Sequence, residues 1–159
     1  YQPGETAKLR IASKQGGKAL IAILGNGLVT SKEVDIAKGG GEVDLTVGDD
    51  WGPGAYATAL LYRPMDEKAK RMPSRAIGIK WIGVDQSART LKVSLPGDVK
   101  VKSGDGLVIP VKVEGLTAGE EARVTVAAVD VGILNLTKFQ APAPETHFHA
   151  QRKLSLEIR

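Results

Sequence analysis

Apolar and polar residues alternate with a period of two along most of this chain, and helical spacing is hard to find. Ala7, Leu9 and Ile11 alternate with Lys8 and Arg10, which predicts a strand with one wet face. Residues 18–24 form a more continuous apolar run, suited to a strand covered on both sides. Val34 and Ile36, then Val43, Leu45 and Val47, alternate on either side of Gly39-Gly40-Gly41, which reads as a turn. Residues 55–62 form a strand bounded by Gly52-Pro53-Gly54 and Arg63-Pro64, and Ile77, Ile79 and Trp81 close the first set. Leu91, Val93 and Leu95 open a second set, continued by Leu107, Ile109, Val111 and Val113 and then by residues 122–129. Short strands punctuated by Gly, Pro and Asp predict an all-β chain of tandem antiparallel β-sandwiches, each of immunoglobulin-like size.

The two sets repeat one another weakly. Pro3-Gly4-Glu5 precedes the strand of Ala7, Leu9 and Ile11, as Ser103-Gly104-Asp105 precedes that of Leu107, Ile109 and Val111. Gly17-Lys18-Ala19 leads into residues 20–24 as Gly119-Glu120-Glu121-Ala122 leads into residues 124–129. Gly27-Leu28-Val29 then matches Gly132-Ile133-Leu134. Three matches in one order indicate two copies of one sandwich. The polar stretch 85–89 is the boundary: residues 1–88 make a first sandwich, and residues 89–159 a second that is partial. Too few strands precede the proline-containing segment 140–153, and Leu154, Leu156 and Ile158 are the next available one. The first residue is Tyr1 rather than Met, and the chain stops straight after that alternation, as a piece of a larger protein would. Losing strands from a sandwich exposes ladder edges and half a core, so the second half is expected to be the less stable.

Composition narrows the function classes. Hydrophobic residues are 42% of the chain but aromatics only 4%, so the cores are built from Val, Ile, Leu and Ala. That is poor material for stacking on single-stranded nucleic acid. The net charge is +4, yet the 22 basic residues are scattered. The densest group, Lys68, Lys70 and Arg71, lies beside Asp66 and Glu67, as a solvated loop does; no nucleic-acid partner is expected. Cysteine is absent, which removes disulfides, thiolate metal sites and a cysteine nucleophile. The longest apolar run, residues 19–24, is far short of the ~20 residues a spanning helix needs, so no membrane insertion is expected within this stretch.

Most catalytic constellations fail on inspection. There is no Gly-x-Ser-x-Gly. Gly25-Asn26-Gly27 lacks a third glycine and runs into a strand rather than a helix, and Gly39-Gly40-Gly41 lacks the following Lys-Ser/Thr of a phosphate loop. Asp49-Asp50 reads as a turn capped by its own side chains, with Trp51 folded over the sandwich end, because calcium wants six to eight oxygens that no acidic spacing here supplies. His147 and His149 alternate as strand neighbours do, and Glu145 would be a third ligand for zinc, but no second cluster completes a shell. Two ordinary exposed histidines are the better reading. Neither a metal, a cofactor nor a catalytic residue is expected.

The most informative stretch is 127–139, Ala-Ala-Val-Asp-Val-Gly-Ile-Leu-Asn-Leu-Thr-Lys-Phe. It reads as an apolar strand with Asp130 in its middle. A dry, unpaired carboxylate costs several kcal/mol, so Asp130 must reach water, a cation or backbone N–H groups where the strand ends. Residues 140–153 follow, with Pro142 and Pro144 barring regular ladder pairing and Phe148 as the lone bulky apolar residue. Extended, accessible backbone of this kind is where proteolysis concentrates. Arg152 and Lys153 suit trypsin-like enzymes, and Phe139 or Phe148 chymotrypsin-like ones.

The run 127–139 resembles the segment just upstream of the bait region in bacterial alpha-2-macroglobulins, which trap proteases. Tyr1-Gln2-Pro3-Gly4-Glu5-Thr6-Ala7 and Pro73-Ser74-Arg75-Ala76-Ile77-Gly78 are similar to the same family, and the order and spacing of the three stretches across nearly the full chain make the match specific. The resemblance implies macroglobulin-like sandwiches that hold and present a bait segment starting within 140–153 or after residue 159. Bait cleavage would trigger collapse around the protease, and a Cys–Gln thioester in another domain would capture it. That Cys is absent here, so the covalent step belongs elsewhere. The implied partners are target proteases and other domains of the parent chain, in the periplasm, with the parent in some cases anchored to the inner membrane. Asp130, Gly132, Pro142 and Pro144 would anchor and release the strand leading to the bait. The alternative is a passive tandem-sandwich spacer or adhesion module of a bacterial surface protein.

Overall fold

In the computed structural model the described residues are 1–97, 99–102 and 104–154. The expected strand formed by Leu154, Leu156 and Ile158 lies almost wholly outside them. Two compact units are present: Tyr1–Gln86, with which the residues from Glu145 group, and Ser87–Pro144. The sequence reading carried the residues after 144 in the second sandwich instead.

The first unit holds β1 (Thr6–Ile11), β2 (Gly17–Leu24), β3 (Leu28–Ile36), β4 (Gly41–Thr46), β5 (Gly54–Arg63) and β6 (Ser74–Gly83). A four-stranded antiparallel sheet of order β3-β2-β5-β6 faces a two-stranded sheet, β1-β4. This is the all-β sandwich that the period-two pattern predicts. Register matches large side chains to small ones across the ladder: Ile21 lies opposite Ala59, Ile23 opposite Ala57, and Leu61 opposite Ala19. These residues are buried with Ala7, Val43 and Leu45 of the smaller sheet in one core. A small residue beside each large one lets the layers interdigitate without voids.

The expectation that β2 is covered on both sides is corrected by the burial pattern. Its odd positions from Ala19 to Ile23 are buried, whereas Leu20 and Ala22 on the opposite face are only half-buried. Along β6, Ile82 is buried at one end, but the same-facing Ala76 and Gly78 are exposed, because two strands cannot span the width that four present.

The glycine turn is as the sequence reads. Gly39 and Gly40 both have positive φ (102° and 111°), and a side chain at Gly40 would strike the carbonyl oxygen of Ile11. Only glycine fits that close approach. Asp49–Trp51 forms a single 3-10 turn that folds Trp51 into the core at the end of the sandwich.

The second unit is much less regular. Its strands, β7 (Lys92–Ser94) and β8 (Lys112–Glu114), are three residues each and pair antiparallel, Val93 opposite Val113. Glu114 receives both Lys92, at 3.5 Å, and Lys112. Of the predicted strand through Leu107, Ile109, Val111 and Val113, only the last part is laddered, and residues 122–129 are in no ladder. Val124, Val126 and Val129 are accordingly exposed. Alternation makes a segment suited to a strand, but a strand needs a neighbour to take its N–H and C=O groups.

The run 127–139 is a further correction. It is no strand: Val131–Thr137 is a helix, α1, and Asp130 is its N-cap. Asp130 Oδ1 accepts from the Gly132 N–H at 2.7 Å, and Leu134 N–H donates to the Asp130 carbonyl at 3.1 Å. The carboxylate thus meets backbone N–H, one of the three destinations expected for it, at the start of a helix rather than the end of a strand. An Asp just before Val-x-Ile-Leu-x-Leu is a helix-start signal that the apolar run masks. A second short helix, α2, spans Pro144–Phe148.

Candidate protease-sensitive segment and its anchorage

After α1 the chain turns at Lys138, which is in the left-handed conformation (φ 52°). Residues 139–143 belong to no helix or strand and are exposed throughout. Phe139 is 56% exposed, far from the burial a phenyl ring would seek in a core. Pro142 lies in this stretch, and Pro144 opens α2, where a proline's missing N–H is no loss. Gly132 sits in the first turn of α1, and a side chain there would crowd Asp130 Oδ1 at 2.9 Å.

The α2 helix changes the histidine geometry. His147 lies in α2 and His149 just past its end, so the two are not alternate residues of one strand as the sequence spacing predicts. His147 instead meets Phe148 edge to face, with ring centroids 5.1 Å apart, and His149 N–H donates to the Glu145 carbonyl at 2.8 Å. Among the described residues, no three His, Cys, Asp or Glu side chains gather at metal-binding distance. Phe148 is 66% exposed.

Residues 151–153 are placed differently from Phe139 and Phe148. They lie against the end of the first sandwich formed by the start of β5, the Gly25-Asn26-Gly27 turn and Trp81. An irregularity in the β2–β3 pairing at Ile23/Leu24 precedes that turn. Tyr56 projects from the outer face of β5 and packs edge-on against Trp81, centroids 4.9 Å apart at 66°. Its hydroxyl donates to the Arg152 carbonyl at 2.6 Å and accepts from Gln151 Nε2 at 3.0 Å. The Arg152 guanidinium donates through Nη1 to Asn26 Oδ1 at 2.9 Å. Lys153 lines the same open cleft with Trp51, Val29 and Gly54. At Gly54 (φ 151°) the Trp81 ring comes so close that a side chain would collide with it.

Of the residues singled out from sequence, Arg152 and Lys153 are thus gathered at one cleft of the first unit, and Phe148 of the same unit is not among its lining residues. Sequence reasoning missed Tyr56, Asn26 and Gln151. Tyr56 and Asn26 are 95 to 126 residues from their partners, and no local pattern marks them.

The family model described as the alpha-2-macroglobulin bait region domain matches residues 1–136. That match takes in most of the chain. The chain belongs to this family. Alpha-2-macroglobulin of Xylella fastidiosa (strain Temecula1) is 33% identical over 158 residues, 99% of this chain and 10% of its own length. Alpha-2-macroglobulin of Escherichia coli K12 is 28% identical over 162 residues, with the same coverage. A crystal structure of a Salmonella alpha-2-macroglobulin point mutant superposes with a TM-score of 0.62 at 25% identity, covering 96% of this chain and 10% of that one. The methylamine-reacted Salmonella protein gives 0.61 at 27% identity. The chain therefore spans about a tenth of the alpha-2-macroglobulins it matches. As a bait region domain of this family it is matched through most of α1, and residues 139–153 lie past the matched residues.

Proposed function

We propose that this chain is the part of a bacterial protease-trapping inhibitor that holds and presents the bait, with the cleavable segment beginning at 139–153. Its role is mechanical. The first sandwich, residues 1–88, and the partial second from residue 89 supply arms, the intact segment restrains them, and cutting it shifts the population toward a collapsed arrangement. No residue here acts as a catalyst. Asp130, Gly132, Pro142 and Pro144 set where the ordered chain gives way to the bait. Target proteases and the rest of the parent chain are the partners, and the periplasm is the site of action. Among the described residues no helix is long and apolar enough to cross a membrane.

The observation that carries this reading is family membership joined to the exposed, unladdered backbone of residues 139–143. An exposed loop of the first unit makes the contrast. Residues 66–71 are closed by reciprocal Asp66–Arg71 backbone bonds at 3.0 and 2.9 Å, and Arg63 Nη2 donates to the Met72 carbonyl at 2.8 Å. A protease must open that hairpin before cutting, whereas residues 139–143 need no unfolding. Limited digestion with chymotrypsin, elastase and trypsin, read by mass spectrometry, is expected to place the early cuts within 139–153 and leave 1–138 intact. Cuts spread evenly through loops such as 65–74 would instead favour a passive spacer or adhesion module.

A further inference from the structure

We infer that the cleft at the end of the first sandwich is a binding site for the chain's own residues 151–152, a clasp that withholds the Arg152–Lys153 bond from trypsin-like proteases while Phe139 and Phe148 stay open. The inference rests on the reading that residues 139–153 are the cleavable segment. Tyr56 is the node of the clasp. One hydroxyl serves two consecutive residues, donating to the Arg152 carbonyl and accepting from the Gln151 amide. Trp81 fixes the ring edge-on, so the hydroxyl is held in place rather than searching. Asn26 supplies the third contact, to the guanidinium.

These contacts engage the groups a serine protease needs. Cleavage after Arg152 requires its side chain in the enzyme's specificity pocket and its carbonyl oxygen in the oxyanion hole. Here Asn26 holds the one and Tyr56 the other. Arg152 is exposed and yet tied. Three exposed hydrogen bonds, each of modest net strength, together lower the opened population about tenfold. Cutting after Phe139 or Phe148 does not require the clasp to open, and it leaves the flank at residue 152 attached to the first sandwich. The clasp thereby ranks the bonds after Phe139 and Phe148 before the 152–153 bond, and retains one end of the severed segment.

The test is native digestion of the whole chain, following the 152–153 bond with trypsin and the bonds after Phe139 and Phe148 with chymotrypsin. Each rate is normalised to the same bond in free peptides of residues 135–159. Tyr56→Phe combined with Asn26→Ala keeps the ring on Trp81 and removes all three contacts. It is expected to speed the 152–153 cut about tenfold, the chymotryptic cuts remaining unchanged. Tryptophan fluorescence confirms that the sandwich stays folded. Arg152→Lys alters no residue of the sandwich and keeps a trypsin site. It loses the guanidinium bond to Asn26 and should also be cut faster, about threefold. An unchanged 152–153 rate in both variants, with cuts still confined to 139–153, overturns the clasp alone. Cuts spread over the loops of every variant overturn the bait reading instead.

Discussion

Ile21→Ala probes the packing that keeps the first unit a rigid arm. Ile21 is 1% exposed in the middle of β2, and its cross-strand neighbour on β5 is Ala59. The surrounding small residues, Ala19, Ala57 and Ala59, sit on sheet backbones and have no long side chains to swing into the space left. The aliphatic Ile23, Val43 and Leu45 of the same core can close only part of it, so the loss should fall in the middle of the usual range for an aliphatic residue cut to Ala, about 3 kcal/mol. For a unit this small, each kcal/mol shifts the midpoint by about 4–8 °C, so Tm should fall by about 12–24 °C. Ile21→Val, which removes one methylene, sets the scale at about 1 kcal/mol. The assay is tryptophan fluorescence through a thermal melt. Trp51 and Trp81 are the two tryptophans of the chain, and both belong to the first unit, so the signal reports that unit alone. A loss under 1 kcal/mol for Ile21→Ala would refute the packing argument, since it would mean that the β2 side chain faces a space able to close or fill with water.

Hydrogen exchange should show β2 and β5 amides exchanging more slowly than any in the second unit, where β7 and β8 have three residues each; stronger protection after residue 90 than before it would end that expectation. The Glu120 carboxyl lies below its ordinary value because the Thr117 N–H donates to it at 2.8 Å, while Glu120 N–H returns a bond to the Thr117 carbonyl at 3.0 Å. A lowered carboxyl adds order that is present above its unfolded pKa and is lost as pH falls through the folded value. Protection of the Thr117 amide should therefore hold at neutral pH and fade well below about pH 4.3, and Glu120→Gln should remove that pH dependence; an identical profile in both proteins would count against it.

Legibility in the sequence differed sharply between the halves. In the first, alternation marked β1, β3 and β4, and a glycine triplet marked the turn, because each of these strands has one face on the core and its local pattern is a direct imprint of that burial. The alternation of Ile77, Ile79 and Trp81 also marked β6, but on its outer face: Ile77 and Ile79 are 52% and 49% exposed, and the core-facing residue is Ile82. In the second, the same kind of alternation around Leu107 and Val124 announced strands that are not formed. Period two records fitness for a pleated surface, not the presence of a partner.

Local chemistry settles what short-range contacts settle. Asp130 had to find donors, and it did so at a helix start, where the N–H of Gly132, two residues on, is near enough to donate. The exposure of Phe139 follows from prolines and polar neighbours that leave nothing for the chain to pack. Tertiary structure alone decided that Arg152, equal to Lys153 as a trypsin site on paper, is tied to Tyr56 and Asn26. Hydrogen bonds between residues about a hundred positions apart exist only once the sheet has closed and β5 and the β2–β3 turn stand side by side. Amino-acid type determined which bonds a protease would accept, and the folded sandwich determined which of them it can reach.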